Sequence, residues 1–429
     1  MIKSDGRRSP TLIVIHRNPV GAVAAFARNR RGDEGADAGP TVVSLRQSLH
    51  GRVLRTDRMN DKPISGPSRR MMLSAVAGAG FVGLSSGSVR ALGRHEAVGA
   101  VIDGMVRDHG FQGVAAVGRD GRIEHVRSAG LWNIAQNMPM EPDRQMGVAS
   151  ISKRLTATAV MRLVDQGLLF LDEPITRWLP DYRADTGSRL TLRRLLSNCS
   201  GLADAFMPAV RAAPGLLAEP WISTGEAIRL FASGDLIFEP GARFDYVLVN
   251  WVIVQGVIEA ATGRPYAGAM RSLVLEPLGM RHTTPIKPDD AASYRTVSPP
   301  VEWTNPRPPF LVAGGGYYST AADLMRFAHR VYDTDFLSRM SRDQLTAIEV
   351  KSDNYALGGR MRKVAIQGVE VEAAWDTGSS SGFRSVLGHR LDRQGTVVIL
   401  NNTAISQRVM DGFAEALLRA HAADHAAAA

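Results

Sequence analysis

Wound as a helix, the segment from Ser150 to Leu168 has apolar residues on nearly every side: Leu155, Ala159, Val160, Leu163, Val164 and Leu168, with Gly167 as the stop. Such a helix has no face to offer to water, so it belongs at the centre of a domain and the rest of the chain must wall it in. At its start stands Ser150-Ile-Ser-Lys153, where alone in the chain a serine is followed three residues later by a lysine. Positions i and i+3 share a helix face, so the Lys153 amine can hang beside the Ser150 hydroxyl. Beyond residue 91 the chain has four lysines, Lys153, Lys287, Lys351 and Lys363, because arginine carries almost all the basic charge. Serine is a poor nucleophile until a base takes its proton. Burial and the positive end of a helix dipole both depress a lysine pKa and make the amine usable as that base. The free N–H groups of the first helical turn are available to a developing oxyanion.

The net charge of +9 suggests nucleic acid until it is located. Residues 1–91 hold 15 Lys/Arg against 6 Asp/Glu, and the remainder holds 36 against 36. No basic stripe is left to track a phosphate backbone. Within the basic leader, Ser68-Arg69-Arg70-Met71-Met72-Leu73 opens an uncharged, Ala/Gly/Ser-rich stretch ending in Val89-Arg90-Ala91, with small residues at the −3 and −1 positions. This pattern resembles a twin-arginine export signal. Residues 59–91 are therefore read as the signal, with Met59 a normal start, and 1–58 as a disordered or mis-assigned leader. Residues 92–429 are read as the mature domain, periplasmic or secreted and without an integral membrane span. The single cysteine, Cys199, reads as a buried small side chain.

Along that domain a helical pattern covers Glu96–His109. Gly113–Gly118 and Ile123–Arg127 then alternate about Arg119-Asp120-Gly121, as a β-hairpin does. Residues about 150–345 are mostly helical patches between Pro/Gly turns. Strand-like patterning returns at 363–371 and 383–401, clearest in Val397-Val-Ile-Leu400, and a last helix is expected over about Ser406–His421. Strands at both ends with helices between predict an α/β (α+β) fold. Its antiparallel sheet is built from the two chain ends, flanked by helices, with a helical region inserted.

Several landmarks occur in a fixed order: Gly147-Val-Ala-Ser150-Ile-Ser-Lys153, Thr191-Leu-Arg-Arg-Leu-Leu-Ser-Asn-Cys-Ser-Gly201, Phe238-Glu-Pro-Gly241, Pro277-Leu-Gly-Met280 and Gly314-Gly-Gly-Tyr-Tyr-Ser-Thr-Ala-Ala-Asp323. Together, over about residues 96–420, they resemble the class C β-lactamase-like serine hydrolases, which include D,D-peptidases, D-aminopeptidases and esterases. The resemblance makes Ser150 the acylated nucleophile and Lys153 its proton partner. Where the family has Tyr-x-Asn this chain has Tyr246-Val-Leu248, so the proton-shuttling tyrosine is retained. The asparagine that binds a substrate amide is replaced by Leu248, as in esterase-like members. Trp251 and Glu259 fall where the family has its aromatic and acidic residues.

The family's Lys/His-Thr-Gly element corresponds to Asp376-Thr377-Gly378, followed by Ser379. The resemblance implies that Gly378 lets the strand approach substrate and that the Ser379 N–H completes an oxyanion hole with that of Ser150. Asp376 stands at the basic position, and an anion there is expected to repel a substrate carboxylate by roughly a few kcal/mol. Arg384 and Arg408 are the candidates for restoring a positive site. Ser352-Asp353-Asn354 is a rival second motif but lies outside the helical region and reads as a surface turn. Two G-x-S-x-G matches, at Ser85 and Ser380, do not open a helix and are set aside. His421 and His425 are four apart in an Ala-rich tail and read as a frayed helix end, so no metal site is expected, nor any cofactor. The chain is thus expected to be an exported serine hydrolase acting through an acyl-enzyme on small esters. Amides, including β-lactams and D-amino-acid peptides, are the runner-up substrates, and a degraded ligand-binding member is the third reading.

Overall fold

The computed structural model describes residues 96–428 except 219–220 and 304–305, together with a two-residue antiparallel pairing of His16–Arg17 with Val23–Ala24. The export signal and Ser85 therefore lie outside the described residues. From residue 96 the chain runs through α1 (Glu96–His109), β1 (Gly113–Arg119) and β2 (Arg122–Ala129). The helical region contains α2 (Ile151–Asp165), α3 (Val249–Thr262) and α4 (Ala321–Tyr332). The chain closes with β3 (Arg360–Ile366), β4 (Val369–Ser380), β5 (Phe383–Arg390), β6 (Thr396–Asn401) and α5 (Gln407–Ala428).

These strands form one antiparallel six-stranded sheet in the order β3-β4-β5-β6-β1-β2, so the last strand pairs with the first. Three of its four hairpins turn through Asp120-Gly121, Gln367-Gly368 and Ser381-Gly382, with both residues of each pair at positive φ. That conformation matches the twist of the flanking strands. The expected strand 363–371 thus contains a turn, which Gln-Gly signals only weakly.

The run Val397-Val-Ile-Leu400 is buried on both faces because helices cover both. Val397 and Ile399 join Val98, Ile102, Phe413 and Leu417 in a core under α1 and α5. Val398 and Leu400 face the larger core of the helical region. At the centre of that core runs α2, with twelve of its fifteen residues buried, and Gly167 at φ +71 ends it. Its buried threonines satisfy themselves locally: Thr156 and Thr158 donate to the carbonyls of Ser152 and Arg154, each at 2.9 Å. Helix α5 runs past the expected end at His421, to Ala428. Asp424 accepts from the N–H groups of Ala97 and Val98 at 3.2 Å, which ties the end of α5 to the start of α1. No helix among the described residues is long and apolar enough to cross a membrane.

Candidate active site

Ser150 is the N-cap of α2, one residue ahead of the first turn, and its side chain makes no capping bond. Ala149 before it is held at φ +46, which aims the serine out of the buried helix. Two groups converge on Ser150 Oγ. Lys153 Nζ donates to it at 3.1 Å, and the Tyr246 hydroxyl donates to it at 2.7 Å.

Lys153 is only 1% exposed and also donates to the Gly314 carbonyl. Its Nζ lies 4.7 Å from the Tyr246 ring centroid and 5.5 Å from that of Trp251. Among the described residues no carboxylate comes within ion-pairing distance of it. Burial accordingly pushes its pKa down, with Arg307 adding to that and Tyr246 opposing it.

One residue along, Arg154 is equally buried and is fully compensated. Its Nε donates to both Asp376 oxygens at 3.1 Å, and its Nη1 donates to the carbonyls of Leu345 and Leu357 at 2.9 and 3.0 Å. Asp376 is 3% exposed. Gly359 lies against this pair so closely that a Cβ there would overlap both Asp376 Oδ1 and Arg154 Nη2. The expectation that Asp376 presents a free negative charge to substrate is therefore corrected: its carboxylate is spent on Arg154. Neither Arg384 nor Arg408 lines the cleft beside Ser150, but Arg360 does.

That cleft, of about 260 Å³, is lined by Ser150, Tyr246, Tyr355, Arg360, Thr377 and Ser379 among others. Grooves of about 900 and 630 Å³ elsewhere on the helical region contain none of these residues. The rings of Phe244, Tyr246 and Tyr355 form one wall, with centroids 5.0–6.4 Å apart, and Arg360 caps it 5.3 Å from the Tyr355 ring.

Along the opposite wall β4 outruns its neighbour. Strand β3 pairs only as far as Trp375, so residues 376–380 are a free edge on that side. The two-residue turn makes Ser380 and Phe383 a hydrogen-bonded pair, and ladder alternation then directs the Ser379 N–H to the free edge. A Cβ on Gly378 would overlap the Val148 carbonyl oxygen and Ser385 Oγ, so only glycine lets β4 lie this close to the segment before Ser150.

Leu248 does not line the cleft. It packs behind it, with Cδ2 3.3 Å from where a Gly314 Cβ would be. Glu259 is also remote from the cleft, receiving the Tyr266 N–H at 3.1 Å. Ser352 is exposed on a short turn, where its hydroxyl meets Asp353 at 2.8 Å, and Ser380 ends β4 instead of opening a helix. Asn198 has a part that its motif did not reveal. Its carbonyl accepts the Asp245 N–H at 2.7 Å and its side-chain oxygen accepts Trp251 Nε1 at 3.3 Å, which pins the loop carrying Tyr246 and a ring beside Lys153.

A nucleophile, a buried amine and a phenol linked at one oxygen, on an antiparallel sheet with an inserted helical region, define a serine hydrolase of the Ser-x-x-Lys type. The Beta-lactamase family profile matches residues 98–421, and the chain belongs to that family. Esterase EstB of Burkholderia gladioli is 39% identical over 196 residues, 42% of this chain and 49% of that protein, so the match spans about half of its length. Penicillin-binding protein 4* of Bacillus subtilis is 25% identical over 328 residues, 68% of each chain. The D-amino acid amidase of Ochrobactrum anthropi SV3, solved with L-phenylalanine, superposes with a TM-score of 0.65 at 23% identity, covering 78% of this chain and 99% of that one. This last likeness speaks to the fold.

Proposed function

We propose that the protein is an exported esterase working through an acyl-enzyme on Ser150. The observation that carries this reading is the uncompensated Lys153 amine, depressed toward its neutral form, in one hydrogen-bonded cluster with Ser150 and Tyr246. Ser150 Oγ attacks the ester carbonyl and its proton passes to the Lys153–Tyr246 pair. The Ser150 and Ser379 N–H groups receive the oxyanion. Collapse expels the alcohol, which takes the proton back through Tyr246, and water then releases the acid by the same route. The likeness to esterase EstB favours esters. Export rests on Arg69-Arg70 and the stretch that follows. Replacing both arginines with lysine should retain the protein in the cytoplasm, and continued export would remove that part of the proposal.

A second reading, hydrolysis of amides that carry a carboxylate, is favoured by Arg360, the cation in the cleft, and by the neutralisation of Asp376. One screen separates them: p-nitrophenyl esters of varied acyl length beside a chromogenic cephalosporin and a D-amino-acid amide, with fluorophosphonate labelling as control. Labelling lost in Ser150→Ala together with ester turnover supports the proposal. Turnover of the amides alone transfers it to the second reading, and absence of labelling at any pH leaves a binding protein.

A further inference from the structure

At the opposite edge of the sheet from the cleft, β2 meets the last turns of α5. There the structure overturns the expectation of a frayed end with two idle histidines. His421 and His425, four apart and hence on one helix face, both turn toward Glu124 of β2. His421 Nε2 lies 2.5 Å and His425 Nε2 2.9 Å from Glu124 Oε2, and the two nitrogens are 3.2 Å apart. One ligand atom from each of the three residues lies within 4.8 Å of the others. We propose that Glu124, His421 and His425 form a binding site for a divalent metal ion of the zinc class, which clamps the end of α5 to β2.

The chemistry of the donors favours that class. Two imidazole nitrogens and one carboxylate are a zinc ligand set, with bonds of about 2.0–2.2 Å; two ligands of a tetrahedral site then stand roughly 3.3 Å apart. The Nε2–Nε2 distance already has that value, and Glu124 has to withdraw by less than about 1 Å to match it. Hydrogen bonds alone serve the triangle poorly. Arg119 Nη2 reaches His425 Nδ1 at 3.1 Å, and an arginine can only donate, so in the neutral ring the proton of His425 is on Nε2. If His421 also donates to Oε2 through Nε2, two N–H bonds lie side by side at the 3.2 Å separation. In addition, His421 is fully buried and its Nδ1 has no partner among the described residues. A cation between the three atoms removes the conflict at Nε2. His425 and Glu124 are about a third and a quarter exposed, which opens an entry path and leaves the remaining coordination positions to water.

Arg119 is the competitor. Ligation through Nε2 moves the His425 proton to Nδ1, and the guanidinium, itself about a third exposed, has to swing out. This gives the test a variant of opposite sign. Untagged full-length protein, stripped with chelator, is titrated with Zn2+ by equilibrium dialysis and with Co2+ by its visible d–d bands. One ion per chain with tetrahedral bands, and a melting temperature that rises with Zn2+ concentration, is expected. Glu124→Gln and His425→Gln should each weaken binding by at least about 100-fold, since losing even a supporting shell costs 10–100-fold. Arg119→Gln should tighten it by about threefold, as a like charge is removed. Ester hydrolysis should persist in all three, because three strands separate β4 from β2. Circular dichroism and that activity certify folding, and the partly exposed His425 serves if Glu124→Gln fails to fold. No stoichiometric binding to the wild type, or equal binding by the folded ligand variant, overturns the proposal.

Discussion

At the cleft edge of the sheet Lys153 is enclosed with no carboxylate of the described residues in reach, whereas at the far edge two histidines close on Glu124, and Arg154, next to Lys153, closes on Asp376. All are titratable or charged groups wholly or partly withdrawn from water, and the buried ones need compensation to keep their usual protonation state. Where a counter-charge is supplied, the group ties secondary-structure elements together: α2 to β4 through Arg154–Asp376, and α5 to β2 through Glu124. Where it is withheld, the group becomes a base. Neighbours on one helix therefore have opposite duties, decided by what the opposing chain puts against them.

The strongest way to break the contrast is to remove the reactive side. Ser150→Ala should abolish acylation, read by fluorophosphonate labelling. Lys153→Ala or Tyr246→Phe should each lower turnover of p-nitrophenyl esters by about a hundredfold or more. Double variants should cost little beyond the worse single one, because the three share one proton path. Independent, multiplying losses would show that they do not act as a unit.

Breaking the compensated side should act on stability instead. Asp376→Ala strands the buried Arg154 cation, and urea unfolding should show a loss of about 3–5 kcal/mol. Activity toward neutral and anionic substrates should fall alike, since both carboxylate oxygens are engaged by Arg154. Replacing both partners, Arg154→Met with Asp376→Leu, should recover most of that stability. A selective gain on carboxylate-bearing substrates in Asp376→Asn would reinstate a free anion in the cleft.

Arg360 sharpens the comparison at the level of specificity. Arg360→Ala should lower kcat/KM for a cephalosporin or a D-alanine-terminated substrate by about tenfold, or roughly 1.4 kcal/mol, and leave neutral esters nearly unchanged.

The smallest effect concerns the cost of withholding the counter-charge. Lys153→Met should stabilise the inactive protein by roughly 0.5–2 kcal/mol at neutral pH. Because the folded-state pKa of Lys153 is depressed, the unfolded chain binds the extra proton in the interval between that depressed value and the ordinary 10.5. Wild-type stability therefore rises with pH across that interval, and the gain from the methionine should shrink in step. Activity of the wild type should fall on the acid side as Lys153 takes its proton. A pH-independent difference in unfolding free energy would contradict a neutral lysine.

What could be read from the chain alone came from short-range repetition. The all-round apolar helix, the i,i+3 spacing of Ser150 and Lys153, the Asp120-Gly121 turn and the continuous apolar run of β6 follow from backbone periods that neighbouring residues share. Ordered landmarks such as Tyr246 and Gly378 added the second and third walls of the cleft by resemblance. The charged pairs were not legible. Arg154 and Asp376 are 222 positions apart, and Glu124 and His421 are 297 apart. A lone Asp376 therefore read as a repulsive anion, and His421 with His425 as a loose tail. Residue type and spacing determine which side chains share a helix face or a strand face. Whether a buried charge meets an opposite charge is settled only when distant segments pack, because electrostatic energy depends on separation in space and on exclusion of water, neither of which is set by position along the chain.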